Sequence, residues 1–152
     1  MTNERIAPEF SLLDQDRKLR SLSEFRGRKV VLVFYPGAFT SVCTKELCTF
    51  RDSLVNFNKL NAFVIGISVD SPFVNKAFAD QNNLQFPLLS DYNRTVSQKY
   101  AGVYENFAGM QNYSASKRAV FIINEEGKIL YSWVSEDPGI EPDYESISEV
   151  LR

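Results

Sequence analysis

The stretch from residue 30 to residue 69 constrains the fold most, because two runs typical of buried strands flank an amphipathic helix. The first run, 30–34, is an unbroken series of β-branched, aliphatic and aromatic residues, as in strands that are covered on both faces. Pro36 and Gly37 end it. The second run covers 62–69. Two such strands joined by one helix predict a parallel βαβ unit.

The helix of this unit has one apolar stripe. Its members recur at alternating steps of four and three residues, which places them on one face towards the sheet: Cys43, Leu47, Phe50, Leu54 and Phe57. Cys43 therefore points inwards, close to the beginning of the helix. In open α/β sheets, functional sites lie beyond the carboxyl ends of the strands, and Cys43 lies at such an end.

The position of Cys43 favours an ionised sulfur. The first N–H groups of a helix lack backbone partners and, with the aligned peptide dipoles, favour negative charge, so this thiol is expected to ionise more readily than a free cysteine. Thr40 or Ser41 can supply the N-cap oxygen, and the Thr40 hydroxyl can also reach the thiolate or a substrate oxygen. A buried structural cysteine is the alternative interpretation.

Composition excludes several classes of function. The 152 residues fit one domain, 1–152, and a net charge of −2 makes nucleic acid an unfavourable partner. Neither an apolar run of spanning length nor a signal pattern precedes the domain, since residues 1–5 are polar; we expect a cytoplasmic protein without membrane contact. The chain has no histidine, which removes imidazole catalysis and histidine metal ligands. Two cysteines alone make a poor metal site.

The other elements complete a mixed α/β fold. An N-terminal β-hairpin is predicted over 10–13 and 18–20, and a second hairpin over 119–123 and 128–134. Helices are predicted from residue 72, over 94–100 and over 143–151. The segment 102–116 is expected to be a long surface loop. The prediction is a mixed central β-sheet flanked by helices, as in thioredoxin-like folds.

Two motifs resemble the peroxiredoxin family. Residues 36–46, PGAFTSVCTKE, resemble the signature Pro-x-x-x-Thr-x-x-Cys. Residues 116–121, SKRAVF, are similar to the strand that carries the active-site arginine of that family. The order of elements resembles the family over essentially the whole chain, which implies a thioredoxin-like fold and a thiol peroxidase.

The resemblance implies a role for each matching residue. Cys43 would attack the hydroperoxide and become a sulfenic acid, and Thr40 would hydrogen-bond the peroxide. Arg118 would stabilise the thiolate and the developing charge, and Pro36 would shield the sulfur. No metal or organic cofactor is implied. From position alone, Arg118 is equally a surface charge and Pro36 a loop breaker, while Glu46 either orients Arg118 or lies on a solvated helix face.

Cys48 suggests the bacterioferritin-comigratory or Q-type subgroup, in which a second cysteine five residues on forms an intramolecular disulfide with the first. In an intact helix the two Cα atoms would lie about 8.7 Å apart, on directions that differ by about 140°. A disulfide tolerates about 7 Å, so the disulfide form should lose helix between about residues 41 and 49. In the alternative, Cys48 is a bystander and an external thiol resolves the sulfenic acid.

The resemblance also implies the partners: a hydroperoxide substrate, with hydrogen peroxide and organic hydroperoxides both open, and a thioredoxin or glutaredoxin-like reductant. Monomer and homodimer both remain open. Two other functions compete. A thiol–disulfide oxidoreductase is disfavoured because the chain has no Cys-x-x-Cys. A non-enzymatic redox sensor would use Cys43 only to report oxidant.

Overall fold

A computed structural model describes residues 5–152 of the chain. Ten strands are present in these residues: β1 Arg5–Ile6, β2 Ser11–Leu13, β3 Leu19–Ser21, β4 Lys29–Phe34, β5 Ala62–Ser68, β6 Leu88–Ser90, β7 Val103–Tyr104, β8 Ala115–Ser116, β9 Ala119–Ile123 and β10 Lys128–Val134. Four α-helices accompany them: α1 Ser41–Lys59, α2 Pro72–Asn82, α3 Thr95–Tyr100 and α4 Tyr144–Leu151. Short 3-10 turns occupy Leu22–Phe25 and Phe107–Gly109.

Eight of these strands form one mixed sheet in the order β1-β10-β9-β4-β5-β6-β2-β3. Strand β4 pairs parallel with β5, and β5 pairs parallel with β6, which confirms the predicted βαβ unit. On its other side β4 pairs antiparallel with β9. Both predicted hairpins are present, as β2–β3 and β9–β10. The mixed sheet that the sequence predicts is therefore confirmed.

Each face of the sheet carries its own apolar core. Helices α1, α2 and α4 cover one face, where Leu47, Phe78 and Ile147 are fully buried. Helix α3 and the first 3-10 turn cover the other face with side chains such as Phe25 and Tyr100. Strand β4 lies between the two cores and contributes side chains to both. Its residues must therefore be apolar on both faces of the sheet, which explains its unbroken hydrophobic run.

The prediction for 102–116 is wrong in part. Strands β7 and β8 pair antiparallel within this segment and form a separate two-stranded sheet. Each strand has two residues, too few to show the alternation by which a strand is recognised in a sequence. Between them the backbone is turned by residues with positive φ, among them Asn106 and Ala108.

The structure describes little of the segment on which the prediction about the start of the chain rests. Residues 1–4, which form most of the polar start, lie outside the described residues. Within residues 5–152, none of the helices has the length and apolar character that crossing a membrane requires.

Candidate active site

The register between β4 and β9 brings two distant parts of the chain together. Phe34, the last residue of β4, lies opposite Ala119, the first residue of β9. Because the strands are antiparallel, the carboxyl end of β4 and the residue before β9 meet at the same edge of the sheet. The turn that leads into α1 therefore lies beside Arg118, although 75 residues separate Arg118 from Cys43 along the chain.

Cys43 is the third residue of α1, and its side chain has no solvent exposure. It belongs to the core cluster that contains Val33, Tyr35 and Leu47. The inward orientation that the apolar stripe predicts is confirmed. The stripe places the sulfur at the buried end of the strand-to-helix turn, where few groups can reach it.

Arg118 binds the sulfur and a carboxylate at the same time. Its Nη2 donates to Cys43 Sγ at 3.0 Å, and its Nη1 donates to Glu46 Oε1 at 2.7 Å. Its Nε donates to the carbonyl of Pro138 at 2.9 Å. The residue is only 1% exposed, so the interpretation of Arg118 as a surface charge is wrong. Three acceptors in one plane fix the guanidinium in place.

Glu46 is fully buried one helical turn after Cys43, so a solvated helix face is excluded for this residue. Burial raises the pKa of its carboxyl to about 7, although the Arg118 charge and hydrogen bond act in the opposite direction. Glu141 adds a smaller like-charge effect that raises this pKa further. Among the described residues, Glu46 Oε2 has no hydrogen-bond partner. The carboxyl group thus binds Arg118 through one oxygen and leaves the other unmatched.

Thr40 occupies the N-cap position of α1, but its side chain does not cap the helix. Its hydroxyl instead donates to the carbonyl of Gly37 at 2.9 Å. Ser41 is the first residue of the helix rather than its cap. The expectation of a capping oxygen from Thr40 or Ser41 is therefore wrong. Immediately before Thr40 the chain turns at Phe39, whose backbone is left-handed with φ of 69°.

Asp70 stabilises the turn from β4 to α1 through a hydrogen bond. Asp70 Oδ2 accepts the backbone N–H of Ala38 at 2.7 Å and the hydroxyl of Ser68 at 3.1 Å. Burial raises the pKa of Asp70 against the effect of these bonds. Pro36 is buried in the same turn, and the ring of Phe39 lies edge-on against Phe78, with 5.2 Å between centroids.

Cys48 faces a different neighbourhood. It is partly exposed, and its Sγ donates to Asn82 Oδ1 at 3.6 Å. Both Cys43 and Cys48 are free, and α1 runs without interruption from Ser41 to Lys59. The structure thus holds the two thiols on different sides of one intact helix, the arrangement that helix geometry gives to residues five apart.

Sequence reasoning missed several residues that build the site. Asp70 follows β5 at the carboxyl end of the parallel strands. Functional sites lie at such ends in open α/β sheets, so this position indicates that Asp70 belongs to the site. Pro138, which accepts from Arg118, and Tyr104, whose hydroxyl accepts the Arg118 backbone N–H at 3.2 Å, lie in irregular or very short segments. No pattern in the sequence indicates their contacts.

The site offers a nucleophile and hydrogen-bond donors for developing charge. The sulfur of Cys43 faces a guanidinium, and no side-chain oxygen caps the first turn of α1. Such an uncapped helix start favours negative charge. In the part of the chain that the structure describes, no three His, Cys, Asp or Glu side chains come together as possible metal ligands. The arrangement suits attack by the sulfur on an electrophile whose leaving group carries negative charge.

The comparisons with known proteins agree on one family. The model of the AhpC/TSA family matches residues 4–132. A Haemophilus influenzae protein described as peroxiredoxin bcp is 39% identical over 148 residues, which cover 96% of this chain and 93% of that protein. A chloroplastic peroxiredoxin Q of Populus jackii is 44% identical over 116 residues, 74% of this chain, and the chain spans 54% of that protein's length.

A solved structure gives the same result for the fold. The crystal structure of peroxidoxin BcpB from Mycobacterium tuberculosis superposes with a TM-score of 0.83 and 33% identity, covering 99% of this chain and 96% of that one. The thioredoxin-like fold that the sequence predicts is thereby confirmed.

Proposed function

Because this chain belongs to the AhpC/TSA family, the peroxiredoxins, which are thiol-dependent peroxidases, we propose that Cys43 is the sulfur that reduces the hydroperoxide. The thiolate attacks the terminal peroxide oxygen, the O–O bond breaks as an S–O bond forms, and the leaving oxygen takes a proton. A thiol and a hydroperoxide thus give a sulfenic acid and water or an alcohol. The supporting observation is the 3.0 Å bond from Arg118 Nη2 to Cys43 Sγ.

The other site residues act through charge and shape. Arg118 stabilises the thiolate and the charge that builds during O–O cleavage, because its donors are fixed before the reaction begins. Glu46 positions Arg118 through its bond at 2.7 Å. Thr40 would turn its hydroxyl from Gly37 to the bound peroxide, and the buried Pro36 shields the sulfur from water. No cofactor is required in this scheme.

Cys48 is proposed as the resolving cysteine. Its sulfur attacks the Cys43 sulfenic acid, an S–S bond forms and water leaves. Helix α1 must unwind over about residues 41–49, since its Cα spacing exceeds what a disulfide spans. A dithiol protein such as thioredoxin or a glutaredoxin-like protein then returns both thiols. The cytoplasm, where thiols are kept reduced, suits this cycle.

The substrate proposal covers hydrogen peroxide and organic hydroperoxides. Phe39 is 48% exposed next to Thr40, so an apolar surface lies at the entrance to the site. An alkyl group can contact this ring without loss of a polar interaction. Hydrogen peroxide needs only the polar groups around Cys43.

The test is peroxide consumption with a thioredoxin system, followed by mass-spectrometric mapping of the disulfide. The wild-type protein should turn over and yield a Cys43–Cys48 disulfide. Cys43→Ser should abolish turnover, and Cys48→Ser should keep a single round of oxidation. Full turnover of Cys48→Ser would instead indicate an external resolving thiol. Slow stoichiometric oxidation without turnover by any reductant would indicate a redox sensor and contradict the proposal.

A further inference from the structure

Cys48 is joined to the end of α2 by a bond whose direction the surroundings fix. Asn82, the last residue of α2, places Oδ1 3.6 Å from Cys48 Sγ. Its Nδ2 donates to the carbonyl of Phe78 at 3.0 Å. Because that carbonyl can only accept, the amide nitrogen must face Phe78 and the amide oxygen must face the sulfur. The sulfur therefore donates, which requires the protonated thiol.

A second bond joins the same two helices beside Cys48. Arg51, three residues after Cys48 on α1, donates through Nη1 to the backbone carbonyl of Asn82 at 2.7 Å. Residues three apart lie on the same face of a helix. One residue at the end of α2 thus accepts two hydrogen bonds from one face of α1. Arg51 also donates to Asp52 Oδ1 at 3.0 Å, and its guanidinium interacts electrostatically with Cys48.

The two cysteines face partners of opposite kind. A guanidinium donates to Cys43, and an amide oxygen accepts from Cys48. A donor stabilises a thiolate, whereas an acceptor bonds only to the S–H form, and the thiolate is the nucleophile. In the folded, reduced protein the bond to Asn82 favours the S–H form of Cys48 and faces the Cys48 sulfur away from Cys43, whereas the Arg51 charge acts in the opposite direction.

We propose that Asn82 is a positioning residue that holds Cys48 as a thiol against α2 until Cys43 has been oxidised. The inference rests on the proposed function, in which Cys48 resolves the sulfenic acid. Unwinding of α1 carries Cys48 towards Cys43 and so breaks its bond to Asn82. The bond therefore opposes formation of the disulfide and prolongs the life of the sulfenic acid.

The first experiment measures the rate of disulfide formation. Reduced protein is mixed with one equivalent of hydrogen peroxide, quenched with acid, and the sulfenic acid and disulfide are quantified by mass spectrometry. Asn82→Ala keeps the backbone carbonyl that accepts from Arg51 but removes the amide. It should speed disulfide formation about two- to fivefold, in line with the net contribution of one hydrogen bond. Asn82→Asp keeps an acceptor oxygen for the thiol but loses the bond to the Phe78 carbonyl, so its rate should lie between those of the wild type and Asn82→Ala.

The matched control is Gln81→Ala, which removes an exposed side chain at the neighbouring position of α2. It should leave the rate of disulfide formation unchanged. The initial oxidation of Cys43 should be equally fast in all these variants. An unchanged or slower disulfide step in Asn82→Ala would overturn the proposal. If Asn82→Ala does not fold, Asn82→Leu, which removes the amide but retains a side chain of similar size, serves in its place.

A second readout separates this inference from the proposed function. In a Cys43→Ser background, the rate at which iodoacetamide alkylates Cys48 at pH 7 reports only on the bond between Cys48 and Asn82. Asn82→Ala should raise this rate and Asn82→Asp should raise it less. If wild-type protein forms no Cys43–Cys48 disulfide, the proposed role of Cys48 fails while this readout still tests Asn82. Equal alkylation rates in all three proteins would refute the proposal that Asn82 keeps Cys48 as a thiol.

Discussion

Glu46 is a residue whose local arrangement costs stability. Its carboxyl is buried with one oxygen against Arg118 and the other without a partner among the described residues. A buried unmatched polar atom costs about 1–3 kcal/mol. The arrangement persists because the bond at 2.7 Å keeps the guanidinium against the sulfur. We therefore expect Glu46 to lower the stability of the fold while it positions Arg118.

Replacing Glu46 by Gln should change how stability depends on pH. Burial raises the pKa of the carboxyl to about 7 in the folded protein, against 4.5 for an unperturbed glutamate. Between these values the unfolded chain loses the proton while the folded protein keeps it, so stability falls as pH rises through this window. Glu46→Gln lacks this titration. The free energy of unfolding of the wild type, relative to Glu46→Gln, should therefore decrease from pH 4.5 to pH 8.

Urea unfolding at several pH values measures this difference. Glu125→Gln is a suitable control, because Glu125 is exposed, and it should follow the wild-type profile. If the wild type and Glu46→Gln kept a constant difference across the window, the raised pKa of Glu46 would be contradicted.

The residues of the site differ in how far a sequence can predict them. Cys43 could be placed because the period of α1 fixes its direction and the strand before it fixes its depth. The contact of Arg118 with Cys43 depends on the register of β9 against β4, which no local pattern records. The bond from Thr40 to Gly37 depends on the positive φ of Phe39, a conformation that is uncommon for aromatic residues.

Among the elements, the turn between β4 and α1 is the one whose shape is enforced from outside. A non-glycine residue at φ of 69° costs free energy and persists only where other contacts require it. The bond from Ala38 to Asp70 and the contact of Phe39 with Phe78 supply that requirement. The start of α1 depends on this turn.

Removing the Asp70 carboxylate should disturb the site without touching the sulfur. Asp70→Ala leaves the Ala38 N–H without its acceptor at 2.7 Å, and the turn can relax. We expect kcat/KM for hydrogen peroxide to fall about tenfold or more, since a hydrogen bond to a charged group is worth about 1.5–3 kcal/mol. Asp70→Asn keeps an acceptor and should retain most of the activity. Wild-type kcat/KM in Asp70→Ala would show that Asp70 has no positioning role.

Helix α1 should lose structure when the disulfide forms. Amide hydrogen exchange of the oxidised protein should accelerate over about residues 41–49, because the disulfide cannot form across an intact helix. Exchange over the rest of α1, which is anchored by Phe50 and Phe57, should change little. Oxidised Cys48→Ser provides the control and should keep the slow exchange of the reduced protein. Unchanged protection of 41–49 in the disulfide form would contradict the unwinding.

At the scale of the whole molecule, the sequence predicts the centre of the sheet better than its short outer strands and the separate two-stranded sheet. The parallel centre is readable because β4 and β5 are buried on both faces and therefore apolar throughout. Strand β1 has two exposed residues, and β7 and β8 have two residues each. Such strands are specified by their pairing partners rather than by their own sequence. The predicted fold class survives these omissions because the core does not depend on them.

Gly66 of β5 lies next to β6, the end of β4 and α1, which offers a test of how packing sets the site. A Cβ added to Gly66 would lie 2.7 Å from Leu88 Cδ2, 3.2 Å from Tyr35 Cε1 and 3.5 Å from Leu47 Cδ1. These atoms belong to β6, to the residue after β4 and to α1. Gly66→Ala should lower the free energy of unfolding by about 1–3 kcal/mol, as overpacking of a core generally does.

The same substitution should also reduce peroxidase activity, because the added Cβ would press on Tyr35 at 3.2 Å, and Tyr35 directly precedes the turn that leads to Cys43. Urea unfolding and kcat/KM measured on the same samples would reveal both effects. Ser132→Ala, at an exposed position of β10, should change neither. A destabilised Gly66→Ala with undiminished kcat/KM would mean that the packing of Tyr35 against β5 does not set the position of Cys43 relative to Arg118.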